Sequence, residues 1–302
     1  MVELGHRLVD MVDPYTLQIL MNIGIAIIMA LGLNLITGVT GQLSLGHAAF
    51  MSIGAFASTI ITINFNLPFS INLLFAGMTA AFVGVMIGFP IFRLTGDYLA
   101  IATLGFAEIV KVVFLNLEIT NKALGLSVPP PNTVFPLPLF ILFIVTITIV
   151  FMAFIHNSRF GRSLTAIRED EIAAEAMGIN AGRAKLQAFA VGCFLAGIGG
   201  GLYAHVIAYI NPSDFGFMKS IEILNMVVLG GLGSIPGSVL GATILASAPE
   251  FLRFMQQYRM LVYGALLVFL MVFRPNGLLG GVNFTKLIKR LITRNKAVGV
   301  KK

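Results

Sequence analysis

N-S-R-F-G-R-S-L-T-A-I-R-E-D-E-I-A-A-E-A-M-G-I-N-A-G-R-A-K-L-Q, residues Asn157 to Gln187, is the one long polar island of this chain, with apolar segments on both sides. It carries Arg159, Arg162, Arg168, Glu169, Asp170, Glu171, Glu175, Arg183 and Lys185. Ala, Glu, Arg and Met are strong helix formers, so Thr165 to Ala181 is predicted to be a helix. Ile172, Ala176 and Ile179 fall at i, i+4 and i+7, which gives that helix one apolar face. Gly178 and Gly182 allow the chain to turn back into the next apolar segment. Two readings follow: an ordinary surface loop of a membrane protein, or a short cytoplasmic helix that docks into a groove on a partner.

The rest of the composition sets the context for that island. Of 302 residues, 57% are apolar and 11% charged, against about 45–50% and 25% in soluble domains. With 25 Phe, 14 Met and 32 Gly, the chain reads as an all-α integral membrane protein. A bilayer core about 30 Å thick asks for roughly 20 apolar residues per spanning helix. One cysteine, Cys193, in an apolar run excludes an internal disulfide and a Cys-rich metal site, and reads as a small packing residue. The net charge of +7 is concentrated at the end: no acid follows Glu250, while Lys286, Lys289, Arg290, Arg294, Lys296, Lys301 and Lys302 do. Such a tail marks the cytoplasmic side and suits contact with lipid headgroups. It lacks the interleaved aromatics and the folded module of a nucleic-acid site. The first residues show no signal-peptide pattern.

Spans are expected at Tyr15–Ile36, Ala48–Ile63, Ile71–Phe92, Tyr98–Leu115, Leu139–Ile155, Ala188–Ile210 and Leu261–Phe273. Asn116 to Pro138 is a Pro-rich loop with few charges, suited to the outer side. Glycines 192, 197, 199, 200 and 201 favour close helix packing in lipid. The island (about 157–187) and the tail (about 275–302) both belong in the cytoplasm, which puts the N-terminus outside. It also requires an even number of crossings between island and tail. The apolar segment Ile221–Ala248, interrupted by G-G-L-G-S-I-P-G at Gly230 to Gly237, must then be a re-entrant pair or two short crossings. The pair is preferred, because irregular backbone at membrane depth is tolerated where protein or water covers it. The whole of 1–302 reads as a single transmembrane permease domain.

A second interruption lies early, at Thr37–Ala48, and paired broken segments point to a transport path. Unwound backbone there exposes N–H and C=O groups to cargo. Gly41, Gln42, Ser44, Gly46 and His47 in the first break, and Gly231 and Gly233 in the second, are the candidates. The plain alternative is tight packing around glycine. Glu108 and Lys111, at i, i+3 within a span, read as a structural pair near a helix end or, for Glu108, as a pathway residue. Glu222 reads as a cap or boundary residue at the start of the second broken segment. His47 and His205 have no second ligand at metal-binding spacing, and no H-E-x-x-H is present. Neither is a strand-flanked G-x-S-x-G nor G-x-x-x-x-G-K-[ST], so the chain has no cofactor or metal of its own and any ATP is bound by another chain.

Three stretches together carry a resemblance. They are T-G-V-T-G-Q-L-S-L-G-H-A-A-F-M-S-I-G-A-F (Thr37–Phe56), A-I-R-E-D-E-I-A-A-E-A-M-G-I-N (Ala166–Asn180) and V-V-L-G-G-L-G-S-I-P-G-S-V-L-G-A (Val227–Ala242). In order and spacing the chain resembles, over nearly its whole length, the permease subunits of branched-chain amino acid ABC importers, closest to the second, LivM-type, permease. The resemblance implies a heterodimer with a second permease, two cytoplasmic ATPases holding ATP and magnesium, and an extracytoplasmic solute-binding protein. It implies a place in the inner membrane of a prokaryote. It places Glu175, Ala176 and Gly178 in the coupling helix, with Arg168, Glu169 and Glu171 leading into it. Here the sequence departs from the fuller E-A-A-x-x-x-G form: Ala173-Ala174-Glu175-Ala176 followed by Gly178 is shorter. Related permeases carry urea, short amides and sugars. An ion-coupled transporter with Glu108 as proton carrier is the competing class; the long charged island argues against it, because such a protein needs no docking helix.

Overall fold

A computed structural model describes residues 13–251 apart from 66, 93, 95 and 134, together with 264, 268 and 277–279. The expected last span, Leu261–Phe273, falls almost wholly outside the described residues, as does the basic tail.

The chain is an all-α membrane protein whose described residues form α1 (Pro14–Leu33), α2 (His47–Phe65), α3 (Phe69–Ile91), α4 (Asp97–Asn116), α5 (Leu137–Asn157), α6 (Arg159–Glu169), α7 (Glu171–Ala176), α8 (Ala181–Ile207), α9 (Phe217–Gly230) and α10 (Ile235–Phe251). Among the described residues six helices are long and apolar enough to cross a membrane: α1 with its continuation to Val39, then α2, α3, α4, α5 and α8. Prolines set several starts. Pro14 opens α1, and Pro68 and Pro136 precede α3 and α5, where a missing N–H costs nothing and φ is already helical.

Five crossings precede the island, so α1 starts on the face opposite it, here called the far side. The loop between α4 and α5 lies there and is more ordered than its prolines suggest. Leu126–Ser127 pairs antiparallel with Tyr209–Ile210 after α8. Asn211 Nδ2 donates to Ala123 O at 2.8 Å, and Phe69 N donates to Asn132 O at 3.2 Å.

α8 is the central post. Its glycines let backbones meet: a Cβ on Gly200 would lie 1.9 Å from Met51 O of α2, and one on Gly197 would lie 2.4 Å from Ala76 O of α3. Phe50, Phe56 and Phe189 fill the space around it, with Phe50 and Phe189 edge to face at 5.4 Å. The outer helices α3, α4 and α5 turn Phe82, Phe89, Ile101, Phe143 and Phe154 outward, a surface that only hydrocarbon or another apolar protein can cover. Cys193 is buried beside Gly84, as expected of a packing residue.

The polar island is two helices rather than the one predicted over Thr165–Ala181. Ser158 caps α6, its Oγ accepting from Gly161 N at 3.1 Å. Asp170 then leaves helical geometry and caps α7, its Oδ1 accepting from Ala173 N at 3.0 Å. Aspartate satisfies orphan N–H groups better as a cap than it fits a helix interior, so the break falls there. The predicted apolar stripe also turns out differently: Ala174 is the buried side of α7, and Ile172 faces solvent.

The second broken segment runs down and back. α9 starts beside the far-side joint, and its 14 residues make a rod of about 21 Å. Its end meets the island, and α10 returns far enough for Ala246 to share a cavity with Asn22 near the start of α1. Glu222 sits inside α9, paired with Lys219 at 2.9 Å, and caps nothing.

Candidate functional site

The first break begins where α1 loosens. Asn34 to Val39 form one π-helical turn, and Gln42 N donates to Ile36 O at 3.1 Å. Such wide turns inside helices frequently mark functional sites. Gly41 holds φ +77°, a left-handed conformation that frees the chain to reverse. The segment then runs back without helix to His47, where α2 starts. The approach to α2 and its first turn are held from a distance: Leu45 N, just before the helix, donates to Thr103 Oγ1 at 3.0 Å, and Ala48 N, in its first turn, to Ser220 Oγ at 3.1 Å. Side chains of α4 and α9 thus do the work a local N-cap would do.

The second break closes in the same manner. α9 ends at Gly230, with Gly231 at φ +111° and Gly233 at φ +81°. Ser234 caps α10, its Oγ accepting from Gly237 N at 3.2 Å. The open carbonyls of α9 are filled by the chain after the last expected span: Leu278 N donates to Leu229 O at 2.8 Å and Leu279 N to Gly230 O at 3.1 Å.

The two breaks meet. Asn34, fully buried, accepts from Gly233 N through Oδ1 at 2.8 Å, and its Nδ2 approaches Ser234 O at 3.4 Å. Arg168, at the end of α6, donates from Nη1 to Gly38 O. Gly38 allows the convergence: a Cβ there would lie 2.0 Å from Asn34 Oδ1 and 2.4 Å from Gly233 N. Gly41 and Gly233 both lie against the Arg168 side chain. One arginine of the island therefore touches both breaks. Beside it, a cleft of about 940 Å³ opens between the end of α5, α6 and the second break, lined in part by His156, Glu169, Leu232 and Pro236.

The remaining island residues surround α7. Glu171 is paired with Lys185 of α8 at 2.6 Å, which ties α7 to the central post. Glu175, Ala176 and Gly178 are exposed, Gly178 at φ +85° with nothing near it. Ile172 and Met177 are 82% and 84% exposed. A six-residue helix with two bare large apolar side chains is an adhesive surface without a partner in this chain.

The other path candidates divide. His47 is buried with neither ring nitrogen bonded, and Gln42 Oε1, Ser44 Oγ, Thr37 Oγ1 and Ser52 Oγ are likewise buried and unpartnered among the described residues. An unmet buried polar group costs about 1–3 kcal/mol, so a cluster of them along one break marks a lining built for something polar. Gly46 packs tightly against α4: a Cβ on it would lie 2.4 Å from Thr103 O. Glu108 stands apart from both breaks, bound to Lys111. His205 is tied to Gly201 O at 2.8 Å and Thr62 at 3.2 Å. Among the described residues no cluster of His, Cys, Asp or Glu could hold a metal.

Residues 15–271 match the family model of the branched-chain amino acid transport system permease component. The chain belongs to this family. The permease is 36% identical over 301 residues to the high-affinity branched-chain amino acid transport system permease protein LivM of Escherichia coli, covering 89% of this chain and 71% of that one. It is 37% identical to LivM of Salmonella typhimurium over 84% and 68% of the two chains, and 29% identical to BraD of Pseudomonas aeruginosa over 93% and 98%. No solved structure matches it. It is therefore a multi-pass membrane transport subunit.

Three residues of this permease's junction escape a reading by pattern: Asn34, Thr103 and Ser220. Asn34 and Thr103 are lone polar residues in apolar helices and Ser220 sits between Lys219 and Glu222; only Asn34 carries a usable signal. An amide buried in a span must find partners, and the nearest unsatisfied backbone lies in a broken segment.

Proposed function

We propose that this permease, a single domain in a prokaryotic inner membrane, is the membrane half of an ATP-driven importer for branched-chain or other small apolar amino acids. It pairs with a second permease, two cytoplasmic ATPases that hold ATP and magnesium, and an extracytoplasmic binding protein. The observation that carries the reading is the link from island to breaks: Arg168 touches Gly38, Gly41 and Gly233, and α7 follows it in the chain. An ATPase that grips Ile172 and Met177 and moves α7 would drag Arg168, and with it both breaks. That is a direct route from nucleotide-driven motion to rearrangement of the path. The named function of the relatives supports the cargo. Glu108, neutralised by Lys111 away from the breaks, gives no support to a proton carrier.

The test replaces Ile172 and Met177 with Glu together. Both side chains are more than four-fifths exposed, and exposed changes rarely alter stability by more than about 0.5 kcal/mol. Two carboxylates pressed into an apolar groove should cost several kcal/mol of docking, so ATP-dependent leucine uptake should fall by more than about tenfold while the permease still inserts. Full uptake by this variant, with normal recovery of ATPase, would reject the coupling role.

A further inference from the structure

The cavity that shares Asn22 and Ala246 lies on the far side of the junction and measures about 250 Å³. That is below the roughly 300–1,000 Å³ of pockets for drug-sized ligands, so its occupant is one small molecule. Its walls divide by chemistry. At one rim Lys219 and Glu222 form an ion pair at 2.9 Å, about a quarter and two-fifths exposed. The Lys219 ammonium stands 5.8 Å above the Tyr203 ring. The Tyr203 hydroxyl and the Asn22 amide have no hydrogen-bond partner among the described residues. The rest of the lining is aliphatic, with Met29, Met51, Ile223 and Met226.

We propose that this cavity is a cargo subsite for a zwitterionic α-amino acid with an aliphatic side chain. This rests on the importer reading above and adds where in this chain the amino acid is held. An α-amino acid carries its carboxylate and ammonium on one carbon, close enough to insert between Lys219 and Glu222 and replace their mutual contact with two new ones. Lys219 takes the carboxylate and Glu222 the ammonium. Site and ligand are each neutral overall, so no net charge is buried. Tyr203 and Asn22 are placed to complete the ligand's remaining hydrogen bonds. The side chain points into the aliphatic floor, where methionines adapt to different branching. A plain i, i+3 surface pair would explain Lys219 and Glu222 but not the cavity or the two unpartnered polar groups beside it. The position is apt for transport. Met29 is about one and a half turns from the π-turn of α1, Met51 follows His47 by one turn, and Ser220, next to Lys219, caps α2. An occupant here rests directly above the two breaks.

The experiment uses the assembled complex, reconstituted without its binding protein, with Ile207→Cys at the cavity rim as a reporter; Ile207 is 37% exposed, whereas Cys193 is fully buried. Labelling by a small neutral maleimide is timed with and without saturating L-leucine. A site filled to ten times its dissociation constant slows labelling about tenfold. Leucinamide, lacking the carboxylate, and the matching keto acid, lacking the ammonium, should protect little. Lys219→Gln and Glu222→Gln should each abolish protection. The exchange Lys219→Glu with Glu222→Lys, which keeps the pair, should restore part of it and so separates ligand binding from helix stability. Equal labelling with and without leucine, or protection that survives both single substitutions, overturns the subsite. Leucine uptake by the parent complex, with its binding protein added back, is measured alongside. Uptake without protection removes the subsite and leaves the importer reading intact; failure to take up any aliphatic amino acid removes the importer reading itself.

Discussion

Replacing Asn34 with Ala removes the side-chain hydrogen bond that joins the π-turn of α1 to the second break. The loss can be worked out from the contacts. The bond from Gly233 N to Asn34 Oδ1, at 2.8 Å, has good length; the contact from Nδ2 to Ser234 O, at 3.4 Å, lies beyond the usual range and counts for little. One neutral hydrogen bond contributes about 1 kcal/mol, and up to about 3 kcal/mol is lost when the abandoned donor stays dry. Gly233 is half-buried, which puts the cost near the lower end, about 1–2 kcal/mol. That is small beside the stability of a bundle whose core is elsewhere, so the variant should insert and assemble. As a coupling free energy between the breaks it corresponds to a factor of about 5–30. The assay is leucine transported per ATP hydrolysed in reconstituted complex. The ratio should fall by that factor while hydrolysis continues, because α7 is untouched. Asn34→Asp keeps the acceptor for Gly233 N and should stay near the parent. An unchanged ratio in Asn34→Ala would refute the junction as a coupling element. A fall that only tracks lost complex would assign Asn34 to packing.

Gly46→Ala should act on stability instead. Its Cβ would meet Thr103 O at 2.4 Å, and such overpacking costs about 1–3 kcal/mol; thermal stability should drop with uptake per intact complex preserved, and the reverse pattern would return Gly46 to the path. Topology is checked by single cysteines: Ser163→Cys, on α6, should react with impermeant reagents only from the cytoplasm, and Asn132→Cys, in the far-side loop, only from outside. Labelling of both from one side would mean that the count of five crossings before the island is wrong.

Six of the seven expected spans lie among the described residues and were legible in the sequence because a bilayer demands long apolar runs; each of these helices begins within a few residues of its expected start except α8. That helix starts at Ala181 rather than Ala188. Its first two turns carry Arg183 and Lys185, which read as loop when hydropathy is the guide, yet Asn180 caps the helix, accepting from Arg183 N at 2.9 Å. The glycine breaks were legible as interruptions, since G-V-T-G and G-G-L-G cannot continue a helix cheaply. What they do was not. Gly38, Gly41, Gly46 and Gly233 look alike in a sequence, but Gly46 yields to a backbone oxygen of α4, while the other three gather around one arginine. That distinction is a matter of which helices are neighbours, and no local pattern contains it.

Arg168 shows how the arrangement turns a short helix into a lever. Its guanidinium is held by a carbonyl that the π-turn frees, so the contact exists only because α1 is unwound at Gly38. If α1 were regular there, Gly38 O would be committed along the helix axis and the arginine would have no purchase. Asn34, one turn earlier and beside Gly38, holds Gly233. A pull on Arg168 thus acts on two loosely wound segments at their shared weak point rather than on packed helices, whose close-packed interiors resist continuous deformation. Arg168→Lys separates reach from geometry: the ammonium retains the charge but not the planar fork that lets one side chain lie along Gly41 and Gly233 while donating to Gly38. Uptake per ATP should drop with normal ATPase binding and normal assembly. A lysine variant that transports as well as the parent would show that charge alone suffices, and that the contact with the turn does not transmit the pull.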